Sequence, residues 1–469
     1  RPAPMKKSAV PDLSRRHSIG ATFCPVVGAT GFLSSLASLR LIGAVAPAKT
    51  DYKALVCLFL QGGNDANNLI VPTGNDYAAY AAARSNLALP QTGLLPIAPK
   101  TSDGRTFALH PAVPELQGLF ASGQAALLAN AGTLVFPTTL AQYKSASVPL
   151  PPQLFSHSDQ QVQWQSSVPD KPSTTGWGGR LADLVNAFNT NNQISMSISL
   201  AGTNFFQVGN LVDEYAVTTN GAVTMAGATS NATSLDGVRY KAQKDLFAQS
   251  QPGLFDAAFA GISSGAISHG ELLASVLAGA PTLTTAFPST SVGNQLKMVA
   301  RLISTASNLN LKRQIFFVQL GGWDTHASQL DSTDPTAGTH AGLLAQISAG
   351  INAFYNATVE LGVASQVTTF TASDFGRTYR SNGDGSDHGW GNHQIVVGGA
   401  VKGTDIYGKI PTLTVNGPDD TGQGRWIPTT SVDEYAATLA TWFGVSGTDL
   451  QTVLPNIGRF AHPNLGFLS

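Results

Sequence analysis

Three apolar runs without polar alternation, at residues 54–60, 314–320 and 367–371, constrain the fold more than any other feature. A strand exposed on one face alternates apolar and polar side chains. A continuous run has to be covered on both faces, which is the signature of a parallel sheet under two layers of helices. Helical segments separate the runs. A short helix is predicted over 113–121 and another from 156 to 164. An amphipathic helix is predicted over 294–307. A long one follows in which Leu344, Ile347, Ile351 and Phe354 recur at helical spacing, with Gly362 at its end. Further strands are expected at 125–129, 194–200 and 394–397. Ser431 has the place of an N-cap for a helix through Trp442. Strands alternating with helices predict an α/β fold: a mostly parallel central sheet with helices on both faces.

Domain organisation follows from changes in character along the chain. Lys6, Lys7, Arg15 and Arg16 make a basic leader, followed by an apolar, small-residue stretch to about Ile42 and the triplet Ala46-Pro47-Ala48. That is the layout of an export signal, and the paired arginines match the twin-arginine pattern, so 1–48 are expected to be a signal segment. The remaining 49–469 read as one domain with a cap or insertion at about 201–292. That stretch is rich in Ala, Thr, Ser, Asn and Gly, with one clear helix around 238–247. No later stretch reaches the roughly 20 apolar residues of a membrane span. The formal net charge of −1, without a basic stripe, argues against a nucleic-acid partner. Of the two cysteines, Cys24 falls in the signal. Cys57 sits inside an apolar run as a buried small hydrophobe, so no disulfide framework is expected.

Each apolar run ends in a glycine- or serine-flanked aspartate: Asp65, Asp324 and Asp374. Ligands of open α/β sheets bind at the carboxyl ends of strands. One such aspartate is an ordinary turn former or helix cap. Three at one sheet edge, joined by His326, His388 and His393, form a carboxylate–imidazole set. It suits one or two divalent cations, zinc or manganese ahead of calcium or iron. A plain structural reading stands beside this one: His326 as a cap of the long helix, and the loop from Asp387 to His393 as a hydrogen-bonded surface loop. Ser156, at a helix start, is a candidate nucleophile, or simply an N-cap, and His157 beside it is a candidate catalytic residue that acts directly in the site or supports a group that does. Arg377 is a candidate bidentate clamp for a tetrahedral anion, or a salt-bridged structural residue. Asp103 and His110 read as loop and packing residues.

These residues lie in segments that resemble a known family. The segments are LFLQGGNDANNLIVP at 58–72, LHPAVPEL at 109–116, GWGGR at 176–180, QLGGWDTHASQ at 319–329, SDFGRTYRSNGDGSDHGWGNH at 373–393, GGAVKGTDIYG at 398–408 and PTTSVDEYAATLATWFGV at 428–445. They resemble a bacterial, twin-arginine-exported family of unknown function within the alkaline phosphatase and sulfatase superfamily. The resemblance spans nearly the whole chain after the leader and implies an alkaline-phosphatase-like fold with two metals and a covalent intermediate. It also implies Asp65 as the first-strand ligand, Ser156 as nucleophile, Asp324 with His326 as one ligand pair, and Asp374, His388 and His393 as the remainder. Two positions depart from the superfamily pattern. Phe375 stands where a histidine often follows the aspartate, and no C/S-x-P-x-R surrounds Ser156.

The expected function is an exported, periplasmic or extracellular, metal-dependent hydrolase of phosphate or sulfate esters. Its substrate would be a small molecule or a glycan-type ester. Ser156 attacks, or a metal-bound hydroxide does so with Ser156 positioning the substrate. The alternative is a non-catalytic cell-surface protein on the same scaffold, with the 201–292 region as its contact surface.

Overall fold

The structure is a computed structural model that describes residues 52–190, 193–225, 227–229, 231–249 and 252–469. The expected signal at 1–48 lies outside them.

The strands in chain order are β1 (Lys53–Leu60), β2 (Ile70–Thr73), β3 (Leu95–Ile97), β4 (Thr106–Leu109), β5 (Ala125–Gly132), β6 (Ser197–Ser199), β7 (Tyr215–Thr218) and β8 (Gly221–Ala222). They continue with β9 (Arg313–Leu320), β10 (Val367–Ser373), β11 (Arg377–Ser381), β12 (Ser386–His388), β13 (Asn392–Gly398), β14 (Ile406–Tyr407) and β15 (Thr430–Ser431). The main sheet runs β14-β5-β13-β10-β1-β9-β6-β7-β8, with β15 beside β5. β1 lies at its centre, parallel to both β10 and β9. β6 and β7 extend the parallel order. β13 is antiparallel to both β10 and β5, because the β11–β12 hairpin, rather than a helical crossover, returns the chain from β10.

β1 explains the two helical layers. Its alternate side chains Ala54, Val56, Leu58 and Leu60 enter one core with the helices Ser291–Ser304 and Thr339–Glu360. Leu55, Cys57 and Phe59 enter the opposite core with the helices Trp177–Val185 and Val432–Phe443. Cys57 is buried and free, and desolvation pushes its thiol pKa up. Ser431 caps the last of these helices in a reciprocal box with Glu434.

The region 201–292 is less separate than its composition suggests. β7 joins the main sheet, and beside the expected helix (Leu235–Phe247) stands a 25-residue helix, Leu254–Ala278. The second helix escapes sequence reading because its apolar residues lie all round rather than in a stripe, and Gly261, Gly265 and Gly270 lower its intrinsic propensity. Among the described residues no helix is long and apolar enough to cross a membrane.

The register places the site. Leu60 is level with both Leu320 and Ser373, so the turns carrying Asp65, Asp324 and Asp374 leave three adjacent strands at one edge.

Candidate metal centre

The turn after β1 can only be made by glycine. Gly62 has φ +121°, and a Cβ there would stand 2.5 Å from the backbone nitrogen of Asp324. Gly63 has φ +86°, and a Cβ there would stand 2.6 Å from the ring of Phe375. The Gly62 N–H donates to Asp374 Oδ1 at 3.0 Å. The close packing of the turns brings Asp324 and Asp374 to the same spot, where the helix His157–Ser166 presents its first residue.

Three imidazoles converge on the Asp324 carboxylate. His326 Nε2 lies 3.1 Å from Oδ1 and His388 Nε2 3.2 Å from it, while His157 Nε2 is 3.4 Å from Oδ2. Ligand atoms of His157, Asp324 and His388 all lie within 4.8 Å of one another. The other ring nitrogen of each histidine faces an acceptor. His157 Nδ1 is 2.7 Å from Asp374 Oδ2, His326 Nδ1 is 3.1 Å from Asp387 Oδ1, and His388 Nδ1 is 2.7 Å from the carbonyl of Phe155. Carboxylates and carbonyls only accept, so neutral rings of His157 and His388 carry the proton on Nδ1 and the lone pair on Nε2, while His326 meets a carboxylate at both nitrogens. That is how metal-binding histidines are held. Gln161 Nε2 also donates to Asp374 Oδ2, fixing the carboxylate that orients His157.

Two features show that this donor set fits a cation. His157 Nε2 is buried and has no hydrogen-bond partner. His326 Nε2 and His388 Nε2 face each other at 2.8 Å, close enough to share one proton or to ligate one ion. Three imidazole nitrogens and a carboxylate form a borderline-soft set suited to zinc or a similar divalent ion. Asp324 is half-exposed, so the set opens to solvent. Partial desolvation acts to raise the Asp324 pKa, but the hydrogen bond and charge of Arg377 outweigh it and hold the carboxyl below the usual range. The Asp374 hydrogen bond raises the pKa of His157, and desolvation lowers that of His388. The Phe375 ring lies against both, with centroids 4.7 Å from His157 and 4.6 Å from His388. It serves as an apolar wall beside the two imidazoles.

Several expected site residues are placed elsewhere. Asp65, expected as a ligand, is fully buried and ion-paired with Arg84. It also accepts from Asn67 and Gln329. Burial would raise its pKa, yet the Arg84 charge holds it below the ordinary carboxylate range. Arg84 in turn donates to Asn68 and to the carbonyls of Thr378 and Tyr379, so its donors are used. His393, also expected as a ligand, faces β5, its Nδ1 accepting from the backbone N–H of Asn130 at 3.0 Å. Arg377, expected to clamp a substrate anion, is buried and bonded to Asp324 Oδ1 at 2.6 Å and to the carbonyls of Ser386 and Gly62. Asp374 stands behind His157 as its hydrogen-bond partner. Ser156 is the residue before the His157 helix, but its hydroxyl does not cap it; it donates to Asp159 Oδ2 at 2.6 Å. His157, expected beside a nucleophile as a direct or supporting group of the site, is the third member of the imidazole set. Asp159 and Arg84 gave no sequence signal, being acidic and basic residues at unremarkable spacings, and Asp387 reads in the sequence only as part of the loop that carries His388.

Fold and site together define an α/β protein with a cluster of three histidines and an aspartate at the carboxyl edge of its sheet. The chain belongs to the family described as protein of unknown function DUF1501, whose pattern matches residues 52–425. No protein of curated function matches it in sequence. Among solved structures it is similar to the PsFucS1 sulfatase from Pseudoalteromonas sp., at 10% identity and TM-score 0.36, over 89% of this chain and 72% of that one. It is also similar to the lipoteichoic acid synthase LtaP from Listeria monocytogenes, at 8% identity and TM-score 0.34, over 88% and 78%. For wild-type alkaline phosphatase PafA the values are 10% and 0.26, over 71% and 64%.

Proposed function

We propose that this chain is a metal-dependent hydrolase of phosphate or sulfate esters. The observation that carries the metal part is the meeting of three Nε2 atoms at the Asp324 carboxylate, that of His157 buried and without a hydrogen-bond partner. The ester class rests on the sequence resemblance to the alkaline phosphatase and sulfatase superfamily. The centre takes one cation rather than two. His157, Asp324, His326 and His388 hold it, while Asp65, the first-strand residue a second ion would need, is closed off by Arg84, Asn67 and Gln329. When bound, the cation supplies Lewis acidity toward an ester oxygen. Asp374 keeps His157 in the tautomer that offers Nε2, and Asp387 holds the His326 ring in place. Arg377 holds Asp324 ionised and in place. Ser156 Oγ forms the bond to phosphorus or sulfur as the ester oxygen departs, and Asp159, already accepting its hydrogen bond, takes the hydroxyl proton. The departing oxygen takes its proton from solvent; water then attacks the phosphorus or sulfur, the bond to Ser156 Oγ breaks with return of the proton from Asp159, and phosphate or sulfate leaves.

Elemental analysis of the purified protein beside an Asp324→Ala variant tests this, followed by aryl phosphate and aryl sulfate hydrolysis. The expected result is about one zinc-class ion per chain that vanishes in the variant, with hydrolysis lost in parallel. No ion in either protein after reconstitution would overturn the reading.

The exposed apolar residues Leu254, Phe255 and Phe259 on the Leu254–Ala278 helix favour a second reading, a non-catalytic surface protein that uses this helix for contact. An Asp324→Ala variant with undiminished biological function would support it. Export to the periplasm or cell exterior rests on residues 1–48. It is tested by changing Arg15 and Arg16 together to lysine, which is expected to leave the protein in the cytoplasm.

A further inference from the structure

We infer that Phe155 is a positioning residue of the centre, and that its left-handed backbone conformation is what fixes the lone pair of His388. The inference rests on the metal-site reading above. The turn before the His157 helix contains two non-glycine residues in the left-handed region, Gln153 at φ +53° and Phe155 at φ +73°. A phenylalanine adopts that conformation only when its surroundings impose it. Here they do so from three sides. The Phe155 N–H donates to Oε1 of Gln160 at 2.9 Å, and the buried Gln160 is itself anchored through Nε2 to Thr133 Oγ1 at 3.0 Å. The N–H of Ser156 closes the turn on the carbonyl of Gln153 at 3.1 Å. The Phe155 ring packs against the cluster of Leu134, Trp390 and Ile427, and the Arg425 guanidinium lies over it at 5.1 Å.

The conformation turns the Phe155 carbonyl toward His388, whose Nδ1 lies 2.7 Å away. Arg425 holds the same residue from the other end, its Nε donating to the carbonyl of His388 at 2.8 Å. The stretch 155–160 thus places two of the three imidazoles. His157 comes from its helix, and His388 is placed through a carbonyl two residues earlier. The carbonyl must stay where it is for Nδ1 to keep the proton and for Nε2 to face Asp324. A side chain at 155 is needed only to the extent that it permits a positive φ.

That last point makes the inference testable on the full chain. Phe155→Gly keeps the carbonyl and adopts positive φ freely. Phe155→Val keeps an apolar side chain but, being β-branched, resists positive φ. Cobalt(II) is titrated into wild type and both variants, and its affinity and visible absorption are read. The His388 tautomer is read separately, without metal, from long-range nitrogen–proton NMR correlations. Phe155→Val is expected to bind cobalt about 10–100-fold more weakly, the usual effect of losing a partner that orients a ligand. It should also show a changed spectrum and lose the Nδ1-protonated form of His388. Phe155→Gly should stay within about threefold of wild type, by the same measure. If Val leaves both readouts unchanged, or if Gly is as impaired as Val, the inference is overturned. Cobalt failing to bind wild type would sink the metal reading instead, while the NMR comparison still decides whether Phe155 orients His388. Should Phe155→Val not fold, Gln160→Leu removes the acceptor of the Phe155 N–H and is expected to shift both readouts the same way. Unchanged readouts in that variant would count against the inference.

Discussion

Asp65 and Asp324 look alike in the sequence, each an aspartate after a buried strand and a glycine turn, yet their surroundings give them opposite tasks. Asp324 is left half-exposed among imidazoles. Asp65 is sealed under the helix Tyr77–Arg84, whose last residue reaches it from 19 positions along the chain. Removing one partner of a buried ion pair strands the other charge, at a cost of about 3–5 kcal/mol. Arg84→Met is therefore expected to lower stability by that order in urea denaturation, while elemental analysis still finds the ion at the histidine centre. A loss of metal with unchanged stability would instead make Asp65 a ligand. Burial also sets a pH dependence. Desolvation lowers His110 to about 3, and His340 and His393 to about 4, so all three are neutral in the folded chain at neutral pH. Their unfolded pKa is about 6.5. Below that the unfolded chain takes up protons that the folded chain refuses, so stability is full above pH 7 and falls as the pH drops from about 6.5 toward 4. Asp433, raised by burial to about 7, works in the opposite sense over pH 7 to 4, but one carboxyl opposes three imidazoles. The melting temperature is expected to fall steadily from pH 7 to pH 4.5, and a flat profile would contradict these buried neutral histidines.

At the scale of elements, the turn after β1 and the cap before the last long helix carry opposite sensitivities. Gly62→Ala forces a Cβ against the Asp324 backbone at positive φ. It is expected to cost at least the roughly 1–3 kcal/mol of such backbone strain, and to displace Asp324 enough to weaken cation binding in the same preparation. Ser431→Ala removes a reciprocal cap far from the imidazoles. Its expected cost is about 1 kcal/mol in chemical denaturation with cation binding unchanged. Both elements were readable beforehand for the same reason: glycine at a strand end and serine before an apolar helical stripe are local signals. The 25-residue helix Leu254–Ala278 carries no such signal, and its first three turns place Leu254, Phe255 and Phe259 in solvent.

For the whole molecule, that helix separates surface from scaffold. Phe255 is 87% exposed, so Phe255→Ser is expected to change unfolding free energy by no more than about 0.5 kcal/mol and to leave metal content intact. A larger loss of stability would mean that the helix is held by contacts through this face. The rest of the architecture follows from periodicity. Continuous apolar runs require cover on both faces, and the alternate side chains of β1 do divide between two cores. The α/β class, the central parallel strands and the common edge of Asp65, Asp324 and Asp374 were therefore legible in the amino-acid order alone, because each depends on neighbours a few residues apart. The composition of the centre was only half legible. Asp324, His326 and His388 were expected together and do meet. The withdrawal of Asp65 to Arg84, of His393 to Asn130 and of Arg377 to Asp324 could not be read. Each of those outcomes turns on which group, 19 to 263 positions away, fills the hydrogen-bonding capacity of a buried side chain. The strand order in space settles that, and a linear sequence does not contain it.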